Sequence, residues 1–185
     1  MDPFHVVSLA GDKLDQCRRS IQRAITGRRG RAGDRLYRAR RTLLTGAGLL
    51  TDAQVGRLET LFADDRHAAV QAAWGVYQRL IQAYRTEDPG LGKYLMQRLI
   101  DSLKQAIPEG LEEIHTLART LTETASDTPG LLRPPPHLQR PHARPSTGAW
   151  STYAASPWDL RNLASYTIRS LIHTGRLKDH PAATT

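Results

Sequence analysis

From Leu9 to Leu121 apolar side chains return every three or four residues, and that period constrains the fold more than any other property of the chain. Such spacing places them on one stripe of a helix that must be buried against another. Leu9, Leu14, Cys17, Ile21 and Ile25 predict a first helix, which Gly27-Arg28-Arg29-Gly30-Arg31-Ala32-Gly33 interrupts with a flexible, cationic loop. Asp34 stands where an N-cap would open a second, basic helix running to about Leu44, with Gly46 and Gly48 closing it. Thr51-Asp52-Ala53-Gln54 has the form of a capping box, and Val55, Leu58, Leu61 and Phe62 follow at helical spacing. A longer helix is predicted from about Asp65 to Arg85, with Val70, Ala73, Trp74, Tyr77, Leu80, Ile81 and Tyr84 inward. Asp88-Pro89 opens the next, with Leu91, Leu95, Leu99, Ile100 and Leu103 inward. Pro108 opens one more, with Leu111, Ile114, Leu117, Ala118 and Leu121 inward. Proline suits a first helical turn, where its missing donor costs nothing. The predicted fold class is mainly α, a helical bundle or a set of hairpins.

Met1-Asp2-Pro3-Phe4-His5-Val6-Val7 departs from that period. Phe4, Val6 and Val7 are bulky and β-prone, as in a short buried strand. A buried strand needs neighbours on both sides to satisfy its backbone. Only helical sequence follows, so the expectation is a vestigial N-terminal strand in a chain that reads as the tail of a larger protein.

The character changes after the last periodic segment. No carboxylate occurs from Thr128 to Trp158, and six prolines fall between Pro134 and Pro157. Such a stretch holds neither a helix nor a central strand and reads as extended and disordered. Asp159 is placed to cap a final helix carrying Leu160, Leu163, Tyr166, Ile168, Leu171 and Ile172. The expected organisation is a helical region over 1–127, a proline-rich segment over 128–158, a terminal helix over 159–175 and a disordered tail over 176–185.

The chain has 185 residues, enough for one modest core. One cysteine, Cys17, excludes an internal disulfide and fits a reducing compartment; its place on the first apolar stripe predicts a small core residue without nucleophilic chemistry. No apolar run approaches membrane-spanning length and no signal peptide is present, so the expected location is cytoplasmic. The charge is uneven. Residues 1–45 hold eleven cations (Lys13, Arg18, Arg19, Arg23, Arg28, Arg29, Arg31, Arg35, Arg38, Arg40, Arg41) against Asp2, Asp12, Asp15 and Asp34, which is +7 of the chain's +8. Arginine's planar fork matches phosphate oxygens, so the ten arginines are the candidate DNA-binding residues. A solvated basic helix face is the alternative.

Asp2-Pro3-Phe4-His5-Val6-Val7-Ser8-Leu9-Ala10-Gly11-Asp12, Arg28-Arg29-Gly30-Arg31 with Tyr37-Arg38-Ala39-Arg40-Arg41, and Trp74-Gly75-Val76-Tyr77-Gln78 resemble stretches of the ISL-three-type bacterial insertion-sequence DDE transposases. The likeness runs from Met1 to about Ser126 and returns from Leu160 to Gly175. It implies a parent with an RNase-H-like fold, in which two aspartates and a glutamate hold two Mg²⁺ or Mn²⁺ ions. Two metals stabilise both the attacking and the leaving oxygen of a phosphodiester. The helices here would match the insertion between the second aspartate and the glutamate. Asp2 and His5 match the Asp-x-x-His pair that follows the second catalytic aspartate; a solvated strand end is the other reading of the pair. Both metal-binding aspartates are therefore expected upstream of Met1, leaving no catalytic or metal-holding residue and no bound cofactor in this chain.

The family's Ser-Asn-Gly-Pro-Thr-Glu-Ala-Ile-Asn-Gly-Arg-Leu-Glu-His segment falls where this chain is proline-rich. One choice of codons for Leu138-Gln139-Arg140-Pro141-His142, read from the second base, encodes Ser-Asn-Gly-Pro. One choice for Ala143 to Thr152, read from the third base, encodes Glu-Ala-Ile-Asn-Gly-Arg-Leu-Glu-His. The expectation is that residues near 130–158 are out of frame and that the frame returns by Leu160.

The remaining candidates carry little. His67, His115, His137, His142, His173 and His180 show no metal-ligand spacing, and no glycine-rich phosphate loop is present. Glu112, Glu113 and Glu123 read as a solvated helix face. The functional expectation is a DDE transposase remnant without catalysis, with no small-molecule substrate. The alternative is a non-catalytic DNA-binding module that interferes with an intact transposase.

Overall fold

A computed structural model describes residues 3–105, 107 and 110–127. Six helices follow one another: α1 (Pro3–Thr26), α2 (Arg35–Leu43), α3 (Asp52–Phe62), α4 (Ala68–Arg85), α5 (Pro89–Gln105) and α6 (Glu112–Asp127). Single 3₁₀ turns lie at Ala47–Leu49 and Asp65–His67. The mainly α expectation holds, and no strand occurs among the described residues. The expected proline-rich segment, terminal helix and tail lie outside them.

The N-terminal strand is the main correction. Phe4 to Val7 form the first turns of α1, with Pro3 at the helix start. Val6, Ala10, Leu14 and Cys17 are each no more than 2% exposed and make one buried stripe. Their spacing is helical, so burying Val6 with that stripe outweighs the weak β preference of the Val pair. Phe4, the bulkiest residue of the supposed strand, is 57% exposed.

Helix α4 is the central element. Thirteen of its eighteen residues are buried, including Trp74, Tyr77, Leu80 and Tyr84. A helix apolar on nearly every side must be surrounded. It packs against α1 and α5, and α6 closes the ring by touching both of those. Helices α1, α4, α5 and α6 thus form a four-membered bundle, with α2 on its flank against α1 and α3 against α2. Trp74 meets Phe62 of α3 at a ring separation of 5.5 Å.

Polar clasps hold the flank in place. Gln78 of α4 accepts from the Ala47 N–H at 2.7 Å and donates to the Thr45 carbonyl at 3.0 Å. The Tyr77 hydroxyl donates to the Leu44 carbonyl at 3.2 Å, and its burial raises the phenol pKa. Two residues of the Trp74–Gln78 stretch therefore fasten the α2–α3 connection. The capping box at α3 is present in full: Thr51 Oγ1 accepts from the Gln54 N–H, and Gln54 Oε1 accepts from the Thr51 N–H.

Three helix readings shift in register. The helix expected from Asp65 starts as a 3₁₀ turn, and α4 proper begins at Ala68. The helix expected from Pro108 begins at Glu112; Pro108 itself lies outside the described residues. In α5 the inward stripe is Gly92, Met96, Leu99, Ile100 and Leu103, while Leu91 is 47% exposed rather than inward. Gly92 decides that register. A Cβ there would stand 2.8 Å from the Ala83 carbonyl oxygen of α4, too close for the backbones to remain where they are. Gly92→Ala is expected to destabilise the fold by about 1–2 kcal/mol despite alanine's better helix propensity. Denaturant unfolding checks this, and a stabilised variant would place α5 farther from α4.

Cys17 sits on the buried stripe of α1, and burial pushes its thiol pKa up from 9.0 to about 12, with Glu113 adding a smaller like-charge effect. The native thiol keeps its proton where the unfolded one has lost it. The unfolded state then binds fewer protons, so stability is fully present below pH 9.0 and falls as pH rises toward about 12. Native protein should react with a thiol reagent only as it unfolds, and Cys17→Ala should show a shallower alkaline loss of stability than the parent.

Candidate nucleic-acid interface

The basic residues are drawn from the C-terminal half of α1, the loop 27–34 and α2. Thr26 closes α1 with its hydroxyl donating to the Gln22 carbonyl at 2.8 Å, and the Gly27 N–H donates to the Arg23 carbonyl at 2.8 Å. Asp34 has the extended backbone of an N-cap, but its side chain does not cap α2. Instead Oδ2 accepts from the Arg31 N–H at 2.7 Å and Oδ1 lies 3.5 Å from the Arg28 guanidinium. One carboxylate thus folds the cationic loop back on itself. The loop also lies flat on α2: a Cβ at Gly30 would come within 2.9 Å of Tyr37 Cβ.

The ten predicted arginines separate into three groups. Arg18 is 6% exposed and held at 2.7 Å by Asp15, so it faces the protein rather than the surface. Arg19, Arg28 and Arg40 are engaged: Arg19 with Asp15, Arg28 with Asp34, and Arg40 stacked 4.3 Å above the Tyr37 ring while donating to the Tyr37 carbonyl. Arg23, Arg29, Arg31, Arg35, Arg38 and Arg41 are exposed, and their side chains form no ion pair among the described residues. Among the described residues no carboxylate offsets the charge of these six. The physical cause is local composition, because α2 buries only Leu36 and Leu43 and has no acidic residue to spend.

The residues marked by the Asp-x-x-His pattern are not part of this surface as described. His5 is exposed on the first turn of α1, with its ring edge on Phe4, and Asp2 lies outside the described residues. Asp15, Asp34 and Asp64 are each taken by arginine, and no group of three His, Cys, Asp or Glu side chains converges among the described residues.

Sequence reasoning missed a second polar cluster beside the basic surface. Asp64 accepts from Arg66 at 2.7 and 3.0 Å, and that guanidinium holds its carboxyl well below the usual carboxylate range. His67 is 5% exposed with Nδ1 2.8 Å from the Leu61 carbonyl, so Nδ1 carries the proton. These residues share a cleft with Gln22, Thr26 and Arg35. No sequence spacing links positions 22, 35 and 67; only the packing of the 3₁₀ turn against α1 does.

Among the described residues, six helices with an arginine-rich flank, six of whose arginines are exposed and without an ion pair, define a helical module with a basic face. The chain belongs to the ISL-three-type DDE transposase family, matching it over residues 1–129. No curated protein and no solved structure matches it. Among the described residues no helix is long and apolar enough to cross a membrane.

Proposed function

We propose that this transposase-family chain holds DNA through its phosphate backbone and does not itself cut or join DNA strands. The observation that supports the first half is the set of six exposed arginines on α1, the loop and α2 that have no carboxylate partner among the described residues. Phosphate contacts position a protein on a duplex without reading its sequence. The second half rests on reading Asp2 and His5 as the family's Asp-x-x-His pair rather than as metal-holding residues. A chain that occupies DNA without cutting it interferes with an intact transposase by covering DNA that the enzyme would use.

Duplex binding measured against salt tests the reading. About six neutralised phosphates give a slope near −5 in log affinity against log salt, or roughly a thousand-fold loss between 50 and 200 mM. Affinity should differ little between duplexes of unrelated sequence. Binding that ignores salt removes the phosphate interface. Magnesium-dependent cleavage or joining of transposon ends by the purified chain, with full-length enzyme excluded, removes the non-catalytic half.

A further inference from the structure

Beside the basic surface the C-terminal end of α1, the start of α2 and the Asp65–His67 turn enclose a cleft of about 240 Å³. That is below the roughly 300 Å³ at which sites for drug-sized ligands begin, so it takes in one planar ring and leaves the rest of the ligand at its mouth. Its apolar walls are Ile25 and Leu36. Gln22 lines it at 4% exposure, and its Oε1 has no hydrogen-bond partner, while Nε2 reaches Thr26 Oγ1 at only 3.4 Å. Oε1 is closed off from solvent as placed, and the broad terminal torsion of glutamine lets the amide edge turn toward the cleft by giving up the long Thr26 contact. His67 lines the same cleft, with Nδ1 donating to the Leu61 carbonyl. Asp34 and Asp64 also line the cleft but are already held by the loop and by Arg66, whereas Arg35 at the cleft has no carboxylate partner.

These features call for a flat ligand with donor N–H groups on its edge, apolar faces and an anionic attachment. A bare phosphate would use Arg35 and leave Gln22, Ile25 and Leu36 without a role. We propose that the cleft binds a single nucleotide. Its base lies between Ile25 and Leu36, an exocyclic amine donates to Gln22 Oε1, and the phosphate meets Arg35. Glutamine pairs with adenine in this way through the amine and N7. The expected source is an unpaired base of the DNA held on the adjoining arginines, which rests on the phosphate-binding reading above; a free mononucleotide has the same chemistry.

Three probes separate these sources on the full chain: adenosine monophosphate, a paired duplex, and that duplex with one extra unpaired adenine. The bulged duplex should bind about five-fold tighter than the paired one, as one added hydrogen bond of ordinary strength allows. Gln22→Leu should erase the difference, keep paired-duplex affinity and lose no thermal stability, since it removes an unsatisfied buried group. Adenosine monophosphate should shift the Gln22 side-chain amide signals in the NMR spectrum. A nucleotide shift without a bulge preference supports the cleft and assigns it to free nucleotide. A nucleotide shift without any duplex binding supports the cleft and sinks the phosphate-surface reading. A bulge preference that survives Gln22→Leu, or no response to either bulge or nucleotide, overturns the proposal while leaving the surface reading to its salt test.

Discussion

Leu80→Ala should lower the unfolding free energy by about 3–5 kcal/mol, the upper part of the range for a buried leucine. Leu80 is 0% exposed on α4, the helix packed by both α1 and α5. Around it stand Tyr77, Ile81 and Tyr84 of the same helix, all themselves buried. Rigid helices on two sides cannot collapse into the space a lost isobutyl group leaves, so the cavity cost adds to the lost transfer energy. The matched control is Leu91→Ala on α5. Leu91 is 47% exposed, and its truncation should cost less than about 0.5 kcal/mol. Chemical denaturation followed by circular dichroism measures both. A Leu80→Ala loss below about 1 kcal/mol would mean that α4 is not the centre of the bundle. A large Leu91 effect would mean that α5 is turned by one position.

Replacing Arg29, Arg31 and Arg38 together by alanine should weaken duplex binding on the order of 100-fold at low salt, at roughly 1 kcal/mol per contact. The salt slope should become shallower by about 2.7, or 0.9 for each phosphate released. All three side chains are exposed and lack a carboxylate, so nothing internal depends on them and the fold should persist. Arg18→Ala gives the contrast. Arg18 is 6% exposed and shares Asp15 with Arg19, so its loss strips a half-buried carboxylate of one partner and should reduce stability while leaving the salt slope unchanged. A triple variant that binds as the parent does would show that the arginine flank is solvated rather than occupied. A slope that falls in Arg18→Ala would show that α1 opens when it meets DNA.

Much of the bundle was legible because helical period and capping are local. The stripe Leu111, Ile114, Leu117 and Leu121 is buried as read, and the Thr51 capping box closes with both of its hydrogen bonds. Register within a stripe was less legible. Leu91 and Met96 are comparably apolar, and only the close approach at Gly92 chooses Met96 for the core. The opening segment was misread because Phe4, Val6 and Val7 favour extended backbone by a small margin. Burial of Val6 beside Ala10 and Leu14 settles the matter after the chain has folded.

The candidate site divides in the same way. Composition alone located the positive charge between Arg18 and Arg41 and excluded a disulfide framework. Which arginines are paired is largely local, since Asp15 meets Arg18 and Arg19 one helical turn on and the short loop returns Asp34 to Arg28, whereas the burial of Arg18 is a tertiary outcome. The cleft joining Gln22, Arg35 and His67 was beyond any reading of spacing. Periodicity, caps and net charge are properties of neighbouring residues and survive in the unfolded chain. Burial and cavities arise between residues far apart in sequence, and they exist only once the helices have packed.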